Sequence, residues 1–166
     1  MKKAVWAVII LLFLAGGFMV TFGGGIARFK SQSMEPTFAS GDQVWVDKLA
    51  YKFHGPQRGD LIAFYVWFGA DRLINIKRVI GLPGETAEVK KGSVYINGAP
   101  IEETYVMEPA DNDYAEVTVP PDSYFVLGDN RNNSDDSQGS IGFVQLKNIA
   151  GRARIQIWPV TSWRIL

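Results

Sequence analysis

The sequence predicts a mainly β protein, a partly open β-barrel or sandwich-like domain carried on one N-terminal transmembrane helix. Three observations predict it. An uncharged apolar run opens the chain, period-2 alternation recurs after it, and glycine and proline turn signals separate the alternating stretches. The expected division is residues 1–25 for a signal-anchor helix and residues 26–166 for the β-rich domain.

The opening run, Ala4 to Phe22, reads AVWAVIILLFLAGGFMVTF. At about 1.5 Å of helical rise per residue it reaches roughly 28 Å, close to the thickness of a bilayer core. Lys2 and Lys3 precede it, which favours an N-terminus left in the cytoplasm and a following domain on the extracytoplasmic face of the cell membrane. A cleaved signal peptide would have a shorter apolar core of about 7–15 residues and a small-residue cleavage site. Gly23-Gly24-Gly25-Ile26 is no such site and reads instead as a hinge.

Beyond it, Gln43–Asp47, Tyr114–Val119 and Gly151–Trp158 alternate apolar and polar residues, the pattern of half-buried strands. Leu61–Trp67 is a continuous apolar run of strand length, and Tyr124–Leu127 is a shorter one. Ser93–Ile96 runs into Asn97-Gly98, a pair suited to a two-residue hairpin because both turn positions need positive φ. Gly55-Pro56, Pro83-Gly84 and Pro120-Pro121 punctuate the rest. Many short strands joined by tight turns favour a barrel or sandwich.

Composition removes several functions. Lys+Arg and Asp+Glu are 17 each, so no basic surface for nucleic acid is expected. With no cysteine there is no disulfide, thiolate metal site or cysteine nucleophile. One histidine, His54, is a poor basis for a zinc site or a Ser-His-Asp triad, and Phe53-His54-Gly55-Pro56 reads as a solvated loop. The acidic loop Asp129–Asp136 lacks the ligand order of a calcium-binding EF-hand. Arg58-Gly59-Asp60 directly precedes a strand and reads as a structural turn rather than an adhesion motif.

Chemistry concentrates in three places. Ser31-Gln32-Ser33-Met34-Glu35-Pro36-Thr37 follows the anchor. Asn75–Ile80 is a strand with Lys77 in it, closed by the turn Gly81–Glu85. Gly128-Asp129-Asn130-Arg131-Asn132-Asn133-Ser134-Asp135-Asp136-Ser137 is a dense polar loop. A lysine in an apolar strand means little if it snorkels to solvent, but a buried one loses its proton easily.

SMEPT, RGD, KRVIGLPGE and GDNRNNSDDS stand in the order and approximate spacing of the boxes of type I signal peptidases, which this chain resembles from the anchor to about Val144. The resemblance implies a membrane-bound serine endopeptidase that removes signal peptides from exported precursors at Ala-X-Ala-type sites. It implies Ser33 as nucleophile and Lys77 as general base. It also implies Ser31 as an oxyanion-hole hydroxyl beside the Ser33 N–H, Ser134 as the serine that hydrogen-bonds the lysine amine, and Asp136 as support for the loop. Phe29, Met34, Phe38 and Ile76 are the implied lining of shallow substrate pockets. Partners are signal peptides and the lipid bilayer; neither a cofactor nor a metal is implied. Gln138 stands where the family often has arginine, so an ion pair to Asp136 is lost there. Asn132 replaces an aspartate common in some branches.

A lysine can serve as base only if its proton is easily lost. Free lysine has a pKa near 10.4, and burial can lower it by about 3–5 units. Lys77 is therefore expected buried, with Asp135 and Asp136 kept out of contact. An extended substrate would pair as an added strand beside the nucleophile segment. The aromatic run Phe64–Gly69 would place its tip at the membrane interface or serve simply as a barrel strand. The non-enzymatic alternative is a catalytically silent, membrane-anchored β-domain acting as a binding module. A tethered Ser/Lys self-cleaving regulator would need a DNA-binding module that the residues before Ser33 do not supply.

Overall fold

A computed structural model describes Trp6 and residues 23–166. The expected transmembrane helix, Ala4–Phe22, lies outside the described residues, among which no helix is long and apolar enough to cross a membrane. The rest is antiparallel β structure with short 3₁₀ turns. The strands are β1 (Gly24–Arg28), β2 (Gln43–Asp47), β3 (Leu61–Phe68), β4 (Asp71–Gly81), β5 (Thr86–Lys90) and β6 (Ser93–Ile96). They continue as β7 (Ala99–Pro100), β8 (Tyr114–Thr118), β9 (Ser123–Leu127), β10 (Val144–Gln145), β11 (Ile149–Trp158) and β12 (Arg164–Ile165).

One sheet runs β1-β2-β11-β3-β4-β9-β10, with β12 added to β11; the smaller one runs β7-β6-β5-β8. Burial explains the two kinds of strand pattern. β2 alternates, with Val44 and Val46 turned inward. In β3, Leu61 and Ala63 join one core cluster while Ile62 and Phe64 join another, so both faces are covered and the run is continuously apolar. β9 does the same: Tyr124 and Val126 pack on one side, Phe125 and Leu127 against the small sheet.

Among the described residues, β1 and half of β4 have a partner strand on one side alone. β1 bonds only to β2. β4 pairs with β3 from Asp71 to Arg78, but β9 meets it only from Arg78 to Gly81. Residues 26–31 and 72–76 line one cleft, so the sheet curls until β1 faces the unpaired half of β4. The result is a barrel with one seam open.

The expected glycine hinge is partly strand. Gly24 and Gly25 pair with Asp47 and Val46, so the sheet begins two residues before the expected boundary at residue 26. The Trp45 indole lies over Gly24, where a Cβ would fall 2.4 Å from its Nε1. Asn97 and Gly98 both take positive φ, as a two-residue hairpin demands. Arg58-Gly59-Asp60 is a structural turn: buried Asp60 accepts from Tyr51 Oη and the Gln57 N–H and pairs with Arg152.

Candidate active site

Three segments converge. Ser33 lies in the turn-rich connection between β1 and β2, held down by Met34 and Phe38, whose side chains are fully buried in the first core cluster. Lys77 comes from β4, across from Ile62 of β3. The loop after β9 closes over both, with the Asn130 N–H donating to the Ser33 carbonyl at 3.1 Å. Asn130 Nδ2 also donates to the Gln32 carbonyl, at 3.2 Å.

Lys77 Nζ and Ser33 Oγ lie 2.5 Å apart in a buried hydrogen bond. Lys77 is 1% exposed and, among the described residues, forms no salt bridge. Burial carries its pKa down from the ordinary 10.5 to about 8, against the opposing pull of Asp136, Asp135 and Asp129. At pH 7 about one such amine in ten is neutral, against about one in three thousand for the free side chain.

The carboxylates are occupied elsewhere. Asp136, 1% exposed, accepts from the backbone N–H groups of Gly128 at 3.0 Å and Gln138 at 3.1 Å. Gln138 thus supports Asp136 through its main chain, which needs no arginine. Asp135 accepts from the Ser140 N–H at 2.8 Å and from the Ser140 hydroxyl. Asp129 is fully buried and takes a two-pronged ion pair from Arg78, at 2.8 and 2.6 Å, plus the Thr37 hydroxyl at 2.5 Å. Asn132 donates to Glu108 Oε1 and the Pro109 carbonyl and accepts from the Asp111 N–H, tying down the strand connection opposite.

Two expected contacts take other forms. Among the described residues the buried Ser134 Oγ has no hydrogen-bond partner, so it does not bond the Lys77 amine. It is wedged against Gly128, where an added Cβ would fall 2.3 Å from Ser134 Oγ and 2.4 Å from the Ser33 carbonyl. That close approach admits only glycine. Ser31 stands beside Ser33, but its Oγ accepts the Ser33 N–H at 3.1 Å. Both expected oxyanion donors are therefore adjacent, with the Ser33 N–H turned to the Ser31 hydroxyl oxygen.

The cleft between β1 and β4 has a volume of about 480 Å³. Of the four expected pocket residues, Phe29 and Ile76 line it, together with Ser31 and Asn75. Met34 and Phe38 do not line it; both are fully buried in the cluster that also holds Phe29 and Ile76, where they act through packing. His54 is exposed in the β2–β3 loop, with its ring edge-on to Tyr51. Sequence reasoning missed Thr37, Arg78 and Asp129. A charged pair within two neighbouring polar motifs was the available signal.

On this antiparallel β scaffold Ser33 and Lys77 form a buried hydroxyl–amine pair next to Ser31 and Ile76, which line the seam, an arrangement compatible with the serine endopeptidases. Comparison with known proteins places the chain within that class: the profile of the family "Signal peptidase, peptidase S26" matches residues 1–158, and the chain belongs to this family. It is 46% identical over 146 residues to signal peptidase I of Leptolyngbya laminosa, covering 84% of this chain and 71% of the relative. It is 35% identical over 144 residues to signal peptidase I S of Bacillus subtilis strain 168, covering 80% and 76% of the two chains. The crystal structure of a signal peptidase I from Enterococcus faecalis V583 superposes with a TM-score of 0.51 at 39% identity, covering 58% of this chain and 95% of that one.

Proposed function

We propose that this chain is a membrane-anchored endopeptidase that removes N-terminal signal peptides from exported precursors after small residues, with Ser33 as nucleophile and Lys77 as general base. One observation carries the reading: the 2.5 Å contact between the Ser33 hydroxyl and an amine that is buried and, among the described residues, free of ion pairs. Substrate enters as an extended strand between the free edges of β1 and β4, where backbone groups have no other strand among the described residues to pair with. The narrow apolar walls at Phe29 and Ile76 suit small side chains on either side of the scissile bond.

Neutral Lys77 takes the proton as Ser33 Oγ attacks the scissile carbonyl. The oxyanion displaces the Ser31 oxygen from the Ser33 N–H and receives the Ser31 hydroxyl as second donor, each such donor being worth about 3 kcal/mol. Lysine then hands the proton to the leaving amine. Neutral Lys77 then deprotonates a water molecule that attacks the acyl-enzyme carbonyl, and its ammonium returns the proton to Ser33 Oγ as the ester bond breaks.

Strand register supports the membrane anchorage. Gly24, Asp47, Arg152 and Ile62 share one level across the sheet. The chain leaves β1 toward residue 22 in the same direction that β3 runs from Ile62 to its tip. Exposed Trp67, Leu73 and Ile74 sit near that tip, at the end where the apolar segment joins the domain. The reading places the N-terminus in the cytoplasm and the peptidase domain on the extracytoplasmic face.

The test incubates purified full-length protein with a precursor bearing an Ala-X-Ala site. Ser33→Ala and Lys77→Met are each expected to abolish cleavage; full activity in either removes the dyad.

A further inference from the structure

Between β7 and β8, residues 101–113 cross the loop that follows β9. The Met107 N–H donates to the Asp129 carbonyl at 3.0 Å. Glu103 forms a buried ion pair with Arg131 at 2.6 Å, and Arg131 Nε donates to the Gly128 carbonyl at 3.1 Å. Tyr105 stands at the crossing. Its hydroxyl donates to Glu103 Oε1 at 2.7 Å, and its ring covers the Arg78 guanidinium, 3.8 Å from the centroid. Arg78 neighbours Lys77 in β4 and carries the fork on Asp129.

We infer that Tyr105 is a positioning residue for the general base: the face of its ring, stacked on Arg78, keeps Arg78 on Asp129 and so keeps that carboxylate paired beside Lys77. The inference rests on the reading of Lys77 as base. Three carboxylates act on Lys77, namely Asp136, Asp135 and Asp129. Asp136 and Asp135 are held by neutral donors, whereas Asp129 is paired with a cation. Arg78 is therefore the charge that mutes one of the three, and a stacked, desolvated guanidinium is held more firmly than one facing water. The charged groups around the brace are Glu103 and Arg131 on one side of Tyr105 and Arg78 on the other. If the ring is lost, Arg78 can swing away from Asp129. The exposed carboxylate then favours protonated Lys77, and activity shifts to higher pH.

The test compares kcat and KM across pH 6–9.5 for full-length wild type, Tyr105→Leu and Tyr105→Phe on the same precursor. Leucine removes the ring face, and phenylalanine keeps it. Tyr105→Leu should move the acid limb of kcat/KM up by about half a unit, which is a loss of about threefold at pH 7 that fades by pH 9.5. KM should not change, because Tyr105 lies outside the β1–β4 cleft. Tyr105→Phe should keep the wild-type limb. An unmoved limb in Tyr105→Leu, or a loss equal at every pH, overturns the inference. Where Tyr105→Leu does not fold, Arg78→Lys, which keeps the charge and loses the fork, should shift the limb the same way, and no shift there also overturns it. A wild-type profile without a base near pH 8 would instead remove the reading of Lys77 itself.

Discussion

Replacing Lys77 with methionine should abolish cleavage and stabilise the protein. The amine sits at 1% exposure with its pKa brought from 10.5 to about 8. That difference of about 2.5 units corresponds to about 3 kcal/mol by which the protonated amine disfavours the folded state. Against it stands the hydrogen bond to Ser33, worth about 1 kcal/mol. Methionine fills similar space without charge, so Lys77→Met should gain about 2 kcal/mol at pH 7, or about 6 °C in Tm at roughly 3 °C per kcal/mol. The sign of the pH dependence follows from the protons bound. Below pH 8 both folded and unfolded wild type hold the lysine proton, and the penalty is complete. Between pH 8 and 10.5 the unfolded chain holds a proton that the folded one lacks, so wild-type stability from this group rises with pH. The advantage of the variant should therefore shrink across that window, while other titrating groups cancel in the comparison. Thermal and urea unfolding of both proteins in detergent, at pH 7 and pH 10, measures the gap. A variant less stable than wild type at pH 7, or a gap unchanged at pH 10, would refute the idea that burial tunes this lysine.

Four other outcomes are expected. For wild type, kcat/KM should climb with pH and level off above about 8, the pKa of Lys77, as read from initial rates of precursor cleavage. Gly128→Ala places a methyl against the Ser33 carbonyl and Ser134 Oγ, so cleavage should fall by about a hundredfold or more as the nucleophile is displaced. Ser134→Ala removes a buried hydroxyl without a partner among the described residues, and urea unfolding should show a gain of about 1 kcal/mol rather than a loss. Phe38→Ala empties a fully buried site in the cluster shared with Phe29 and Ile76, costing about 3–5 kcal/mol, and should relax the proposed preference for small residues when precursors with larger side chains before the scissile bond are compared.

The fold was legible where side-chain period and burial coincide. β2 and β11 alternate because one face is covered, and β3 and β9 are continuously apolar because both faces are. β1 escaped because GGIAR has no alternation: Gly24 is there to pass beneath Trp45, not to bury a side chain. β5 also alternates, with Ala87 and Val89 inward, but one alanine and one valine among three polar residues is a weak apolar signal, and the strand is fixed by the hairpin partner opposite it. For the site, local motifs marked the loops that supply it, yet they could not show which charges meet. Arg78 and Asp129 are 51 residues apart, and their pairing depends on β9 lying against β4 over Arg78–Gly81. The same short overlap leaves Asp71–Lys77 open along its other edge. Where β9 pairs, its following loop reaches Ser33 and Lys77; where it does not, the edge of β4 stays open to the β1–β4 cleft. The length of that pairing is thus the structural choice from which both the dry amine and the open seam follow, and no single motif encodes it.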